Sequence, residues 1–247
     1  MNEFYVGYAP KMPVGLRAFV RRVVIALGLL AMAVVVVLLS GQMPFAKSTF
    51  EFGKSRSFEG ILEATPYPTL LVDRPGNVGP NFKYSPYLLV APGKHGADML
   101  FEGMNGKRVR LKGELIYREG QTMIEVEPAS IQTFVNSGPG PAQFHSLGKV
   151  TLTGEIVDSK CYLGVMNPGV GKVHRDCASR CISGGVPPLF VTSAGDRFLL
   201  VGPDERPFQR DALRAFIAEP IRLRGELLER DDSRFLKIDL AELHHSN

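Results

Sequence analysis

All three cysteines of the chain, Cys161, Cys177 and Cys181, lie close together, with His174 among them. Thiolate sulfur and imidazole nitrogen are the donors that four-coordinate zinc takes in closed structural sites. The same soft set suits Cu(I) or an iron–sulfur cluster. The spacing supports convergence. A helix over residues 174–182 turns about 100° per residue, so His174, Cys177 and Cys181 fall within about 60° of arc on one face. Cys161 can then meet them as the fourth ligand. Covalent haem is not the expected reading, because Cys177-x-x-x-Cys181 is followed by Ile182 and not by histidine.

Two other readings of these residues stay open. Outside the cytoplasm cysteines pair, and a bond from Cys161 to one helical cysteine would staple the segment and leave one thiol spare. A bond from Cys177 to Cys181 is geometrically awkward along one helix. Alternatively, one thiol is a nucleophile with His174 as its base. Met166 is a conceivable soft copper ligand, but beside Val165 it reads as packing. His95 and His145 fall in loop or linker sequence, and His244 and His245 in a solvated tail. No phosphate loop and no Ser/His/Asp spacing is present, so no catalytic or organic-cofactor residue is assigned and an enzyme is not the favoured reading.

The elements that must position these residues emerge from an internal repeat. Val109-Arg110-Leu111-Lys112-Gly113-Glu114-Leu115 returns as Ile221-Arg222-Leu223-Arg224-Gly225-Glu226-Leu227. In the same register Met123-Ile124 matches Phe235-Leu236, and Val126 matches Ile238. Upstream, residues 87–92 match 198–203, and Phe58-Glu59-Gly60 matches Leu152-Thr153-Gly154. Each copy reads as three strands, a short helix and two strands, with period-2 alternation in the fourth strand. In the second copy the helix runs from an Asp211 cap through Leu213, Phe216 and Ile217 to Pro220. In the first copy Met99, Leu100 and Met104 take the equivalent place.

Five strands with a helix between the third and fourth resemble the OB-fold in architecture. The expected fold is therefore mainly β: an N-terminal helix and two tandem OB-like five-stranded barrels at 47–135 and 148–247. A Pro/Gly linker over 136–147 suggests that few contacts cross it and that 47–135 folds alone. Tyr67, Tyr87 and Phe58 fall where an OB-fold stacks bases, but core or rim packing is the expected role.

The copies differ at one place. From Gly60 to Pro68 is eight residues, and from Gly154 to Pro188 is 34. The additional 26 residues, within an insertion at 158–186, hold every cysteine. A barrel lacking the insertion serves as an internal control, which marks the insertion as functional and not architectural.

The run Val23 to Leu39 carries no polar side chain. With Ser40 and Gly41 it approaches the roughly 20 residues a helix needs to cross a bilayer. A cleaved signal has a shorter apolar core, and Pro44-Phe45-Ala46 is a poor cleavage site. Lys11, Arg17, Arg21 and Arg22 precede the run, opposed only by Glu3. The positive-inside rule therefore keeps residues 1–22 cytoplasmic and exports the region beyond the anchor at 23–41. Arg21-Arg22 hints at twin-arginine export, although its flanks do not fit. Past the anchor, 25 basic residues face 24 acidic ones. The pI of about 9.0 thus owes much to the tail, and a nucleic-acid partner is not expected. Together these readings describe an inner-membrane, single-pass protein with a periplasmic region. Its metal or iron–sulfur site would serve electron transfer or metal handling beside an inner-membrane partner. The alternatives are a disulfide-stapled envelope scaffold and a thiol-dependent enzyme.

Overall fold

The structure is a computed structural model, and it describes residues 12–41, 48–75, 83–137, 142–209 and 211–245. Glu3, Lys11, the Pro44-Phe45-Ala46 segment, Lys47 and the centre of the linker lie outside these residues. The chain divides into two compact units, residues 1–45 and 46–247.

The first unit contains α1, Val14–Gly41. It begins before the apolar run, so Arg17, Arg21 and Arg22 sit in its opening turns. Residues Val14–Ser40 are long and apolar enough to cross a membrane, a property that an N-terminal signal sequence shares. With lipid around it, a backbone that bonds only to itself must be helical, which overrides the β-preference of Val34 to Val37.

The second unit is two closed five-stranded barrels. In the first, β2 (Arg56–Glu63), β3 (Thr69–Asp73), β4 (Tyr84–Val90), β6 (Gln121–Val126) and β5 (Lys107–Arg118) follow one another around the ring, and β5 closes on β2. Two further strands, β1 (Ser48–Phe50) and β7 (Gln132–Ser137), extend β5. In the second, the order is β8 (His145–Asp158), β9 (Pro188–Thr192), β10 (Arg197–Val201), β12 (Ser233–His245) and β11 (Ile221–Arg230), closing on β8. The two rings have the same order, and in each the third and fifth strands form the parallel pair.

The correspondence extends to single residues. Leu88 pairs with Met123 as Leu199 does with Phe235. Gly60 pairs with Val109 as Gly154 does with Ile221, and Gly113 with Val126 as Gly225 does with Ile238. Gly60 and Gly154 hold their places for one reason: a Cβ there would run into the carbonyl of Leu71 or of Val191 on the next strand. Only glycine allows the first strand to coil that tightly against the second.

The expected short helices are 3-10 turns instead. Asp98–Phe101 inserts Phe101 into the first barrel, while Met99 points to solvent. Arg214–Phe216 replaces the helix expected from Asp211. Leu213 and Ile217 are buried at its two ends, so the apolar positions were correct. One turn suffices to plug the end of a barrel this small. Asp211 makes no cap; its carboxylate accepts a bond from Ser183 Oγ at 2.8 Å.

Each barrel has its own interior. Leu62, Leu70, Leu89, Phe101, Leu111 and Ile124 fill the first, and Ile156, Phe190, Leu200, Leu223 and Leu236 fill the second. A third cluster lies between them. It takes Leu88, Val90, Ile116 and Met123 from one barrel and their counterparts Leu199, Val201, Leu228 and Phe235 from the other. Contacts therefore do cross between the copies, contrary to the sparse contact expected of a Pro/Gly linker. Polar bonds cross as well. Tyr67 Oη donates to Leu200 O at 2.6 Å, Arg74 pairs with Asp232 at 2.6 Å, and buried Arg230 pairs with Glu63 at 3.2 Å.

Candidate metal centre

Strand β8 ends at Asp158, whose side chain is wholly buried. A buried carboxylate must find donors, and it finds two. Its Oδ1 accepts the backbone N–H of Cys161 at 2.8 Å, and its Oδ2 lies 2.7 Å from His174 Nε2. The first bond turns the chain out of the barrel into a wide helical turn, Cys161–Val165, closed by Met166 N–H to Cys161 O. Tyr162 and Leu163 in that turn are buried in the cluster between the barrels, and Arg118 of β5 lies over the Tyr162 ring and donates to its carbonyl at 3.0 Å.

The chain returns through a 3-10 turn, Lys172–His174, into α2, Arg175–Ser183. Ala178 and Ile182 on one side of α2 reach into the second barrel's core, while Cys181 and half-buried Cys177 face the inter-barrel cluster. The i, i+4 spacing brings those two thiols onto one face, opposite Cys161. The three Sγ atoms lie within 4.8 Å of one another, and Cys161 and Cys177 are 3.8 Å apart. Two thiolates on one tetrahedral ion at about 2.3 Å each would be about 3.8 Å apart. All three thiols are free, and the triad could hold a metal ion.

The electrostatics of the triad are uneven. Donation to Cys181, reinforced by burial, pushes the Cys161 thiol well up from its ordinary range. Accepting that bond holds Cys181 below its ordinary value, with help from the Lys94 charge. Lys94, from the loop after β4 in the first barrel, donates to Cys177 Sγ at 2.8 Å, and that bond holds its ammonium charged above the usual lysine range. Gly184, just past α2, permits this approach: a Cβ there would strike the Lys94 carbonyl.

Of the four residues singled out by spacing, Cys161, Cys177 and Cys181 converge. His174 does not join Cys177 and Cys181. It belongs to a second group, Asp158, Cys161 and His174, that shares Cys161 with the first. It stands at the residue before α2, and the buried Asp158 carboxylate draws its ring away from the helical face. Its other nitrogen, Nδ1, lies 2.9 Å from Met166 Sδ. Met166 is therefore not packed in a core; it is 41% exposed.

Three residues of the site carried no assignment from spacing. Asp158 and Lys94 gave no signal at all. Lys160 is buried, donates to Ala91 O and Gly93 O at 2.9 and 2.6 Å, and pairs with Glu125 of β6. A lysine beside the apolar Cys161-Tyr162-Leu163 was a usable hint, since a buried ammonium needs partners nearby. The remaining histidines lie elsewhere. His95 and His145 are exposed, the latter in β8, and His244 and His245 belong to β12, with His245 stacked on Phe216. Tyr67 is core, and Phe58 and Tyr87 touch each other at 6.1 Å on the first barrel. No protein-family model and no curated protein matches the chain.

Proposed function

We propose that this chain is a membrane-anchored metal-handling protein that binds one soft metal ion through Cys161, Cys177 and Cys181. The convergence of three sulfurs within 4.8 Å carries the reading. Three thiols are one short of the closed four-ligand shell of a structural zinc site, which leaves a position for exchange. Half-burial of Cys177 supports transfer to or from a partner. The basic turns that open α1 support an export topology in which both barrels lie in the periplasm, beside an inner-membrane protein. The shared ring order and matched registers support two OB-like barrels, at 47–135 and 148–247, related by duplication.

The test is metal content of the full chain, purified in detergent under reducing conditions. Wild type should hold one soft ion per chain, and Cys177→Ser should weaken retention by about tenfold or more. A metal-free wild type with a bond between Cys161 and Cys177 would instead make the insertion a stapled scaffold or a redox thiol pair. The second of these draws on the lowered Cys181 thiol and the cation on Cys177.

A further inference from the structure

Beside the thiols lies a pair of donors that the three-cysteine centre leaves unused. His174 and Asp158 are both fully buried. A carboxylate oxygen accepts, so His174 Nε2, 2.7 Å from Asp158 Oδ2, carries the ring proton. In the tautomer protonated at Nε2 alone, Nδ1 keeps its lone pair. That lone pair faces Met166 Sδ at 2.9 Å, and a thioether has no proton to offer. Imidazole nitrogen and thioether sulfur thus face each other as two donors that one cation could share. A histidine anchored to a carboxylate through one nitrogen and presenting the other is how metal-binding imidazoles are held. The thioether narrows the choice of ion: methionine sulfur suits Cu(I), whereas zinc takes thiolate, imidazole and carboxylate.

Position gives the pair a role. Met166 is 41% exposed, His174 is buried behind it, and a His174 ring nitrogen lies within 4.8 Å of Cys161 Sγ. Cys161 in turn is 3.8 Å from Cys177. Lys94 places its ammonium on Cys177 and repels an arriving cation there. Behind His174 stands the negative Asp158. Met166 and His174 thus lead from solvent toward Cys161.

We propose that Met166 and His174 form an outer receiving position for Cu(I), from which the ion passes to Cys161, Cys177 and Cys181. Bonds to the thioether and imidazole break, bonds to sulfur form, and the displaced thiol protons leave to water; no electron moves. This rests on the thiol centre proposed above.

The test is anaerobic loading of the reduced full chain in detergent from Cu(I) buffered by bicinchoninate, with the loss of the chelate colour followed in time. Met166→Leu, close in shape and partly exposed, should keep the wild-type thermal midpoint and final stoichiometry but load about tenfold more slowly or worse. Met166→Cys, which restores a soft donor, should recover the rate. Wild-type loading by Met166→Leu overturns the receiving position, as does a wild-type protein that takes Zn(II) in preference to Cu(I); in either case the thiol centre stands. Full copper retention by Cys177→Ser removes the thiol centre, and the hand-over with it.

Discussion

The two barrels agree strand for strand and register for register, yet the first crosses from its first strand to its second in five residues, 64–68, and the second takes 29, 159–187. In the first barrel the short crossing places Tyr67, with its hydroxyl on the partner barrel's Leu200 carbonyl. In the second, the long crossing supplies Cys161, Tyr162, Leu163, Cys181 and Val186 to the inter-barrel cluster, and Ala178 and Ile182 to the barrel's own core. The insertion is thus both the site and a share of the packing. A barrel without it shows that the ring closes without these residues. It does not show that this chain does.

Excising the insertion, by joining Asp158 to Pro188 through the Thr65-Pro66-Tyr67 sequence, should break the comparison most severely. Seven buried side chains leave the two clusters, each worth about 1–3 kcal/mol, against a whole-domain stability of about 5–15 kcal/mol. The expected result is loss of cooperative unfolding by circular dichroism. A sharp transition near the wild-type midpoint would return the insertion to the status of an appendage.

Equivalent truncations on the shared face come next. Leu88 and Leu199 occupy matched positions in the inter-barrel cluster. Either Leu→Ala change should cost about 2–3 kcal/mol. Because both side chains belong to one cluster, each should lower a single common transition, and the double variant should depart from additivity. Two separate transitions, each moved by only its own substitution, would mean that the barrels unfold independently.

The smallest effect concerns a position where the barrels diverge: buried Glu63 stands where the second barrel has Val157. Burial raises the Glu63 carboxyl above its ordinary 4.5 despite Arg230 beside it. A raised acid favours the fold most fully below the unfolded value, and that contribution fades as pH climbs through the folded value. Glu63→Gln, which can still accept from Arg230, should therefore raise stability by on the order of 1 kcal/mol at pH 7 and by less at pH 4. Urea unfolding at the two pH values checks this; a gain that grows toward pH 4 would reverse the sign.

Several features could be read without coordinates because each is local. The apolar run Val23 to Leu39 has one conformation open to it in lipid. Alternating Val109, Leu111 and Leu115 mark a strand with one inner face, and the glycines of the first strands mark a coil too tight for a side chain. The inter-barrel packing had a signal that went unread: Leu88-Leu89-Val90 and Phe198-Leu199-Leu200-Val201 are apolar on both faces, as strands buried on both sides are.

The centre divides in the same way. Sequence alone brought the three cysteines into one insertion and placed Cys177 and Cys181 on one helical face, since helical pitch dictates it. It misplaced His174, because a residue at the start of a helix answers to whatever buried group lies nearest, and Asp158 is sixteen positions earlier. Lys94, 83 residues from Cys177, reaches the thiols only through the packing of one barrel on the other. The pairing of Met166 with His174 arises from the path of a loop and not from any spacing rule. Periodicity can state which residues share a face; only the tertiary structure decides which faces meet, and which side chains are left facing each other when they do.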